Sequence, residues 1–227
     1  MIDWHSHILP CVDDGSKSIA ESIAMMNMLL EQGVDTVIAT PHFSANSEPV
    51  DSFIKRRNEA KEKIKNETSI NILLGAEVKF YPGISKMTGL EKLCIEGTNL
   101  LMIEMPMAKW TEYTVRELVE LSSSVGVRLI LAHIERYLPF QNSDVWNRLY
   151  EAGVLMQVNA SYFIEFFSRR KAISLLKDGN IHLIGSDCHN TEHRAPKMAE
   201  AIEFIEKKLG GKIISRLEEY WNSLLTK

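Results

Sequence analysis

The chain has 227 residues, of which 45% are hydrophobic, and its formal net charge at pH 7 is −4. This length and composition suffice for one sizeable hydrophobic core, so we expect a single domain over residues 1–227. The negative charge gives no basic footprint for nucleic acid, and no stretch reaches the roughly 18 consecutive apolar residues that a membrane-spanning helix needs.

The N-terminal residues lack the basic, apolar and small-residue order of a secretory signal peptide. The three cysteines are odd in number and form no paired framework, which favours a reducing compartment. We therefore expect a cytoplasmic protein without membrane insertion, whose oligomeric state the sequence leaves open.

Seven apolar runs are rich in Ile, Val and Leu with little alternation, which is typical of parallel strands covered on both faces. They span residues 1–4, 36–40, 71–78, 100–105, 128–132, 155–159 and 182–186.

Segments with helical periodicity lie between these runs. Ser18 and Glu21 have the spacing of a capping box, and Gly33 is expected to end the helix that they begin. The apolar face predicted for this helix comprises Ile19, Ile23, Met26 and Leu30. A second helix is expected to be capped by Asp51, and its shared face comprises Phe53, Arg57, Ala60 and Ile64. Further helices are predicted over residues 112–125, 144–152, 163–177, 197–209 and 212–225, and a loop with a short helix over 81–95.

Strands that alternate with helices predict right-handed βαβ units around a parallel sheet. Seven such units fit a closed or nearly closed barrel that is slightly smaller than the eightfold TIM barrel. In barrels of this type the functional site lies at the carboxyl ends of the strands.

Nine side chains at or just beyond these strand ends are candidate metal ligands. His5 and His7 are two residues apart, so an extended chain places both on one face with Cα atoms roughly 6–7 Å apart. Asp187 and His189 repeat this spacing on the last strand, which a barrel would bring beside the first. The complete set comprises five imidazoles and four carboxylates, namely His5, His7, His42, His133, His189, Asp14, Glu77, Glu104 and Asp187.

Nitrogen and oxygen donors of this kind suit Mn²⁺, Fe²⁺ or Zn²⁺ and disfavour a thiolate-rich structural zinc site. Nine ligands are too many for one ion. Four carboxylates carry about −4 and three divalent ions about +6, and the remaining positive charge suits a phosphate dianion. Without metal the carboxylates would repel one another, so metal binding should stabilise the fold.

The order of these motifs resembles the PHP superfamily (polymerase and histidinol phosphatase). Within it, the chain is similar to the manganese-dependent protein-tyrosine phosphatases of bacterial capsule and exopolysaccharide operons. The matching runs lie at residues 2–10, 12–15, 75–77, 103–104, 132–137, 157–159 and 186–190, with Arg194 and Pro196. The resemblance covers essentially the whole chain and implies one PHP phosphatase domain, folded as a distorted (β/α)7 barrel with a trinuclear metal centre that holds Mn²⁺ first and Fe²⁺ or Zn²⁺ as alternatives.

The resemblance also implies a role for each site residue. The first metal would take His5, His7, Glu77 and Asp187; the second Glu77, Glu104 and His133; the third Asp14, His42 and His189. Glu104 matches the tyrosine phosphatase branch, because several other PHP branches have His at this position. Arg136 and Arg194 match the arginines that contact phosphate.

The activity implied is hydrolysis of phosphotyrosine on the tail of a cognate bacterial tyrosine autokinase, which regulates capsular and exopolysaccharide synthesis. A metal ion would lower the pKa of water from about 15.7 towards 7. The two arginines would add forked donors to the phosphoryl oxygens.

Four other readings remain open at this point. A PHP-type phosphatase for a small molecule such as histidinol phosphate has the same ligands, and a catalytically inactive barrel could be a binding module. An amidohydrolase also begins with two histidines before a barrel, but it usually needs a lysine at a strand end, and none of the predicted strands has one. Cys188 and Arg194 have the C-x5-R spacing of cysteine-dependent tyrosine phosphatases, although no glycine lies between them to cradle phosphate.

Several single residues also have two readings. Asp3 either orients a ligand imidazole or is a polar residue at a strand start. His193 is a surface histidine or a proton donor, and His182 is expected to be structural. Trp110 and Tyr113 either stack on a phosphotyrosine ring or pack against the barrel rim.

Overall fold

The structure is a computed structural model that describes residues 1–124 and 126–226. In this part of the chain, strands and helices alternate. The strands are β1 (Ile2–Ser6), β2 (Thr36–Ala39), β3 (His42–Phe43), β4 (Asn71–Leu74), β5 (Glu77–Lys79), β6 (Leu100–Glu104), β7 (Arg128–Leu131), β8 (Leu155–Asn159) and β9 (Leu183–Gly185). The α-helices are α1 (Ile19–Glu31), α2 (Val50–Glu62), α3 (Glu112–Ser124), α4 (Ser143–Glu151), α5 (Arg169–Lys177), α6 (Met198–Leu209) and α7 (Gly211–Leu225). Short 3₁₀ helices span Ile84–Lys86, Leu90–Leu93, Ile134–Arg136 and Ala160–Phe163.

All of these strands pair in parallel, in the orders β1-β2-β4 and β3-β5-β6-β7-β8-β9. The sheet curls until its last strand returns to its first. The N–H of Asp187 donates to the carbonyl of His5 at 2.8 Å, and the N–H of His7 donates to the carbonyl of Cys188 at 2.9 Å. The result is an α/β fold with a curled parallel sheet, whose strands are buried because helices cover them.

The predicted strands are confirmed to within one or two residues, except in the run over residues 71–78. That run is two strands, because Gly75 and Ala76 interrupt it between β4 and β5. The carbonyl of Gly75 accepts a hydrogen bond from Nη1 of the buried Arg57 at 2.8 Å. The two-residue strand β3 was not predicted.

The capping box of α1 is confirmed, since the Ser18 hydroxyl accepts the N–H of Glu21. The predicted apolar face is confirmed in part: Met26 is buried and Ile23 and Leu30 pack against the core, but Ile19 is exposed. The buried residues are Ser22, Met25, Met26 and Leu29. Ser22 tolerates burial because its hydroxyl pairs with that of Ser16 at 2.8 Å.

The predicted face of α2 is confirmed for Phe53, Arg57 and Ala60; the fourth residue, Ile64, is also buried but lies beyond the end of the helix. Its predicted cap is wrong: Pro49 occupies that position, and Asp51 lies inside the first turn, where it pairs with Lys92. The helix predicted from residue 163 is also too long, because α5 begins only at Arg169. The predicted end of α3, Val125, lies outside the described residues. None of the described helices is both long and apolar enough to cross a membrane.

Candidate metal centre

The nine candidate ligands lie together at the carboxyl ends of the strands. They come from β1, β3, β5 and β6 and from the residues that follow β1, β7 and β9. Parallel pairing explains part of this convergence, because His42 of β3 is the register partner of Glu77 of β5. The donor atoms of eight of them, all except His133, form three overlapping groups, in each of which all the atoms lie within 4.8 Å of one another.

Glu77 is the buried centre of the cluster. Its Oε2 atom lies 3.2 Å from Nε2 of His5, 3.3 Å from Nε2 of His7 and 3.0 Å from Nδ1 of His42. Its Oε1 atom lies 2.7 Å from Nε2 of His133. One carboxylate therefore faces four imidazoles, an arrangement in which it can be shared between neighbouring cations.

The first group combines His5, His7 and Asp187. The Nε2 atoms of the two histidines face each other at 3.1 Å. Oδ1 of Asp187 lies 3.7 Å from the first Nε2 and 3.5 Å from the second. Two ring nitrogens and a carboxylate oxygen thus point to one position, which is a common arrangement around a divalent metal ion.

The second and third groups share His42. His42, Glu77 and Glu104 form one of them, and Nε2 of His133 lies 3.8 Å from Oε1 of Glu104. In the other, Oδ1 of Asp14 lies 3.4 Å from Nε2 of His42 and 3.5 Å from Nε2 of His189, and His7 also belongs to this group. Asp14 is exposed, so the cluster opens to solvent on this side.

Two buried atoms of the cluster need a partner that the described chain does not supply. Oε2 of Glu77 and Nε2 of His189 have no hydrogen bond of acceptable geometry with any described residue. Buried polar atoms are normally paired, because an unpaired one costs about 1–3 kcal/mol. Cations bound between these oxygen and nitrogen donors would satisfy both atoms, so the residues fit divalent metal ions.

The charges of the cluster lead to the same conclusion. Burial disfavours ionised Glu77, but the neighbouring imidazoles outweigh it and hold its pKa well below the usual range. Burial also disfavours charge on His5 and His7, yet the carboxylates around them raise the pKa of each to about 9. Without metal, the negative charge of the buried carboxylates is thus balanced by protonated imidazoles. A divalent cation can replace these protons.

Two candidate ligands occupy strained backbone conformations. The φ angles of His133 and Asp187 are 33° and 51°, in the left-handed region that residues other than glycine rarely adopt. Such strain persists where the surrounding structure holds the residue, and it is frequent at functional sites. The N–H of His133, for example, donates to Oε1 of Gln157 at 2.6 Å.

Three residues that the sequence analysis did not single out hold the ligand imidazoles in place. Oδ2 of Asp13 lies 2.6 Å from Nδ1 of His7, Oε1 of Gln157 lies 3.2 Å from Nδ1 of His5, and the hydroxyl of Tyr137 lies 3.1 Å from Nδ1 of His133. Such partners fix the orientation and tautomer of a metal-binding imidazole. A signal for Gln157 existed, because it is polar in an apolar strand and shares a face with Asn159.

The residues of β8 and β1 also organise Asp187 and its strand. Nδ2 of Asn159 donates to Oδ2 of Asp187 at 2.8 Å, so the sixth predicted strand contributes to the cluster without ending in a ligand. Asp3 accepts from the N–H and hydroxyl of Ser186 and from the N–H of His5. Asp3 therefore joins β1 to the end of β9. Its hydrogen bonds go to backbone and hydroxyl groups and not to a ligand imidazole, so it is a structural polar residue of the strand.

The two arginines singled out in the sequence lie at the mouth of the cluster. An Nη2 atom of Arg136 lies 2.6 Å from Oδ2 of Asp187, and one of Arg194 lies 2.9 Å from Oδ1. Both arginines line a cleft of about 240 Å³ together with Ser161 and His193. Two guanidinium groups in one cleft beside the ligand cluster present donors of the kind that bind anions.

The C-x5-R reading is not supported by the surroundings of Cys188. The residue is completely buried, and burial raises the pKa of its thiol well above the usual range. A catalytic thiol must be accessible and easily ionised. The expectation that no strand ends in a lysine is wrong, because β5 ends at Lys79, whose exposed side chain lines a cleft with Glu104.

The remaining residues with two readings can now be placed. Trp110 is buried against Tyr137, and its Nε1 donates to the carbonyl of Pro106, so it packs the rim. Tyr113 is exposed on α3. His193 is exposed beside Arg194, and His182 is structural, as expected, because its Nδ1 accepts the N–H of Met156.

The fold and the site together define an α/β protein of TIM-barrel type with a candidate metal centre at the carboxyl ends of its strands. Residues 1–223 match the model of the family described as "Capsular polysaccharide synthesis, CpsB/CapC". The chain belongs to this CpsB/CapC family.

Individual relatives support this assignment. The chain is 31% identical to the tyrosine-protein phosphatase YwqE of Bacillus subtilis, with 99% of this chain and 91% of that protein aligned. It is 32% identical to the tyrosine-protein phosphatase CpsB of Streptococcus pneumoniae, with 93% and 92% aligned. Crystal structures of YwqE and CpsB are described as those of unique metal-dependent tyrosine phosphatases. The matching chain from that work has a TM-score of 0.86 and 26% identity over 99% of this chain and 94% of its own length.

Proposed function

We propose that this protein is a metal-dependent protein-tyrosine phosphatase, a phosphoric monoester hydrolase that releases phosphate from phosphotyrosine. Its relatives YwqE and CpsB, which carry the name tyrosine-protein phosphatase, support the proposal. The observation that carries it is the buried Glu77 carboxylate, which faces four imidazoles while one of its oxygens has no hydrogen bond from any described residue.

The proposed centre holds three divalent ions, with Mn²⁺ first and Fe²⁺ or Zn²⁺ as alternatives. The first ion takes His5, His7, Glu77 and Asp187, the second Glu77, Glu104 and His133, and the third Asp14, His42 and His189. The three overlapping donor groups support this division, although His42 also lies near Glu77 and Glu104. Nitrogen and oxygen donors without thiolates suit these ions.

The chain's own residues would bind and orient the phosphate monoester. Arg136 and Arg194 donate forked hydrogen bonds to the phosphoryl oxygens, from the cleft that both residues line. Asp187 orients the two guanidinium groups, because each of its oxygens contacts one of them. The bound ions supply Lewis-acid charge and lower the pKa of water from about 15.7 towards 7.

A second cleft next to Glu104 suits the aromatic ring of the substrate. Its volume is about 270 Å³, and its lining includes Lys79, Phe80 and Met107. Phe80 and Met107 offer ring and thioether contacts to a phenyl group. The phosphate and the ring of one phosphotyrosine would thus occupy the clefts beside Asp187 and beside Glu104.

The fold proposed with this function is a distorted (β/α)7 barrel in one PHP phosphatase domain over residues 1–227. Two observations support it. β3 follows β2 after two residues, and β5 follows β4 after two residues, so each pair can count as one interrupted strand. The last strand also hydrogen-bonds to the first.

The proposed substrate is the phosphotyrosine tail of a cognate bacterial tyrosine autokinase, and the proposed location is the cytoplasm. The family description, capsular polysaccharide synthesis, supports a role in regulating capsule or exopolysaccharide production. A direct test is the removal of phosphate from an autophosphorylated tail peptide, with histidinol phosphate as the comparison. Faster turnover of histidinol phosphate would favour a small-molecule phosphatase.

The experiment that tests the metal dependence is a metal analysis of the purified protein with phosphotyrosine hydrolysis before and after chelation. We expect chelation to abolish activity and Mn²⁺, Fe²⁺ or Zn²⁺ to restore it to different extents. Glu77→Gln should lose both metal and activity. Glu117→Gln is the matched control, because Glu117 is also a buried glutamate with one oxygen unpaired among the described residues, but its other oxygen accepts the N–H groups of Gly83 and Ser85 and no described imidazole faces it. Undiminished hydrolysis in metal-free protein would contradict the proposal.

A further inference from the structure

An exposed pair of aromatic side chains lies between the 3₁₀ helix Ala160–Phe163 and α5. Phe166 is 71% exposed and Phe167 is 96% exposed. Their rings meet edge to face with 5.3 Å between the centroids, so they form one apolar tip. Side chains of this type are normally buried, and burying one stabilises by about 1.5–3 kcal/mol. We call this pair the Phe166–Phe167 tip.

Five cations lie on the helices α5 and α6 beside this tip, and all except Lys171 line one cleft. Arg169, Arg170 and Lys171 form the first turn of α5, which contains no acidic residue, and Lys207 and Lys208 lie in the last turn of α6. Cations at a helix N-terminus are unfavourable, because this end of the helix dipole is positive. Within residues 1–124 and 126–226, no carboxylate pairs with any of the five. The protein as a whole has a net charge of −4, so this local excess of positive charge is unexpected.

A cleft of about 440 Å³ connects the two groups of cations. The guanidinium of Arg169 lies over the rings of Phe166 at 5.0 Å and Phe204 at 5.7 Å, and the ammonium of Lys208 lies 5.6 Å from the centre of Phe204. These contacts hold the charged groups around the cleft without neutralising them. The cleft is therefore suited to a phosphate group.

We propose that this surface docks on an anionic lipid bilayer. The Phe166–Phe167 tip enters the boundary between head groups and acyl chains, while Arg170, Lys207 and Lys208 contact lipid phosphates. A bilayer satisfies both halves of the surface, because it offers an apolar layer directly beneath a layer of negative charge. A soluble phosphopeptide would neutralise the cations but leave both phenyl rings in water.

The docking surface lies near the mouth of the metal cluster. Ser161 and Glu165, which precede the Phe166–Phe167 tip, line the same cleft as Arg136 and Arg194. Docking would therefore hold this cleft close to the bilayer, where a membrane-tethered phosphoprotein is concentrated. That consequence rests on the proposed phosphatase function, whereas binding to lipid does not.

The test is co-sedimentation of the full chain with lipid vesicles. We expect it to bind vesicles of phosphatidylcholine mixed with phosphatidylglycerol, and not vesicles of phosphatidylcholine alone, with binding that weakens as salt is added. The double variant F166S/F167S should bind about ten-fold less or weaker still. The double variant R170E/K207E should lose at least about five-fold per reversed cation.

Matched controls separate this surface from general effects. Tyr113→Ser removes another exposed aromatic residue, and K63E/K65E makes the same charge change at two exposed lysines just beyond the end of α2. Both should bind like the wild type. Thermal unfolding and hydrolysis of p-nitrophenyl phosphate should be unchanged in all variants, which shows that they fold. Because sedimentation needs no catalysis, its outcome is independent of whether the phosphatase proposal holds.

Three outcomes would overturn the docking proposal. The first is equal binding to neutral and anionic vesicles, and the second is unchanged binding by F166S/F167S, which would leave only a polyanion site. The third is a wild-type protein that does not bind vesicles, combined with an R170E/K207E variant that loses affinity for a soluble phosphotyrosine peptide. That result would assign the cations to a peptide.

Discussion

Oδ2 of Asp13 lies 2.6 Å from Nδ1 of His7 and also accepts the backbone N–H of His42 at 2.9 Å. One carboxylate thus orients an imidazole of β1 and fixes the start of β3. With Nδ1 of His7 held in this way, its Nε2 atom faces Glu77 at 3.3 Å. Asp13 is a positioning residue, and its neighbour Asp14 points to the solvent-exposed side of the cluster.

Asp13→Asn should weaken metal binding by about 10- to 100-fold. Without the carboxylate, the imidazole of His7 is less basic and is no longer held in the orientation that binds metal. Metal titration followed by calorimetry measures the effect directly. The exposed Asp35, which pairs with the N-terminal ammonium, offers Asp35→Asn as a control with unchanged metal affinity. Equal affinities for Asp13→Asn and the wild type would show that this contact does not support the site.

Removal of metal should change how stability depends on pH. Burial opposes the charge of His5 and His7, but neighbouring carboxylates raise the pKa of each to about 9, above the ordinary 6.5. In metal-free protein their contribution is complete below pH 6.5 and is lost as the pH rises through 9. Loaded protein should behave oppositely, because deprotonated imidazoles bind metal more tightly.

Chemical denaturation of chelated and Mn²⁺-loaded protein between pH 6.5 and 9 checks this expectation. The free energy of unfolding of the chelated protein should fall over that range, and the difference between the two forms should widen. Parallel curves for the two forms would contradict the proposed competition between protons and metal.

Arg136→Ala should lower kcat/KM for phosphotyrosine by about two orders of magnitude, as loss of a donor to a reacting oxyanion commonly does. Arg194→Ala should act in the same direction. Metal content should stay the same, since neither guanidinium is a metal ligand. Arg148→Ala, which removes surface ion pairs with Glu112 and Asp144 away from the cluster, is the matched control. A full loss of metal in Arg136→Ala would instead indicate a structural role through Asp187.

Cys188→Ser should retain near-full activity. The thiol is completely buried and its pKa is raised well above the ordinary range by burial, so it can neither reach a substrate nor ionise at neutral pH. Steady-state hydrolysis of a phosphotyrosine peptide is the measurement. Asp187→Asn, one residue earlier, is expected to be inactive, and abolished activity in a well-folded Cys188→Ser variant would overturn the metal mechanism.

His182→Asn should make stability less sensitive to acid. Burial, assisted by Arg128, lowers the pKa of His182 to about 4. The wild type should therefore lose stability as the pH falls from 6.5 to 4, by up to about 3 kcal/mol from this residue. Asparagine keeps an acceptor for the N–H of Met156 but does not titrate. His193→Asn, at an exposed position, is the control and should show the same dependence of stability on pH as the wild type. If His182→Asn also matched the wild type, burial of a neutral His182 would not be what makes the protein sensitive to acid.

Much of the architecture could be predicted because strands and helices here follow local patterns. The strand over residues 155–159 matches β8 to the residue, since Leu155, Met156 and Val158 give it the apolar character of a buried strand. The error at residues 71–78 arose because Gly75 and Ala76 are also small and apolar. The carbonyl of Gly75 instead accepts from Arg57, which comes from a different element and which the local pattern does not reveal.

The candidate metal ligands could be predicted because they follow apolar strands in the sequence. The contacts that hold these ligands in place could not be predicted in this way. Asp13 and Asp14 are adjacent and chemically identical in the sequence, yet one contacts His7 and the other lies near His42 and His189. The exposed Phe166 and Phe167 looked like the start of a helix, because hydrophobicity alone does not reveal whether a side chain meets a core.

The sequence by itself determined the order of strands and helices and the supply of nitrogen and oxygen donors at the strand ends, since both depend on residue type and short-range spacing. Only the tertiary structure decided which donors meet. The contact of His5 with Gln157, for instance, joins residues 152 positions apart. Such contacts follow from the curvature of the sheet and the burial of its interior, which no local pattern specifies.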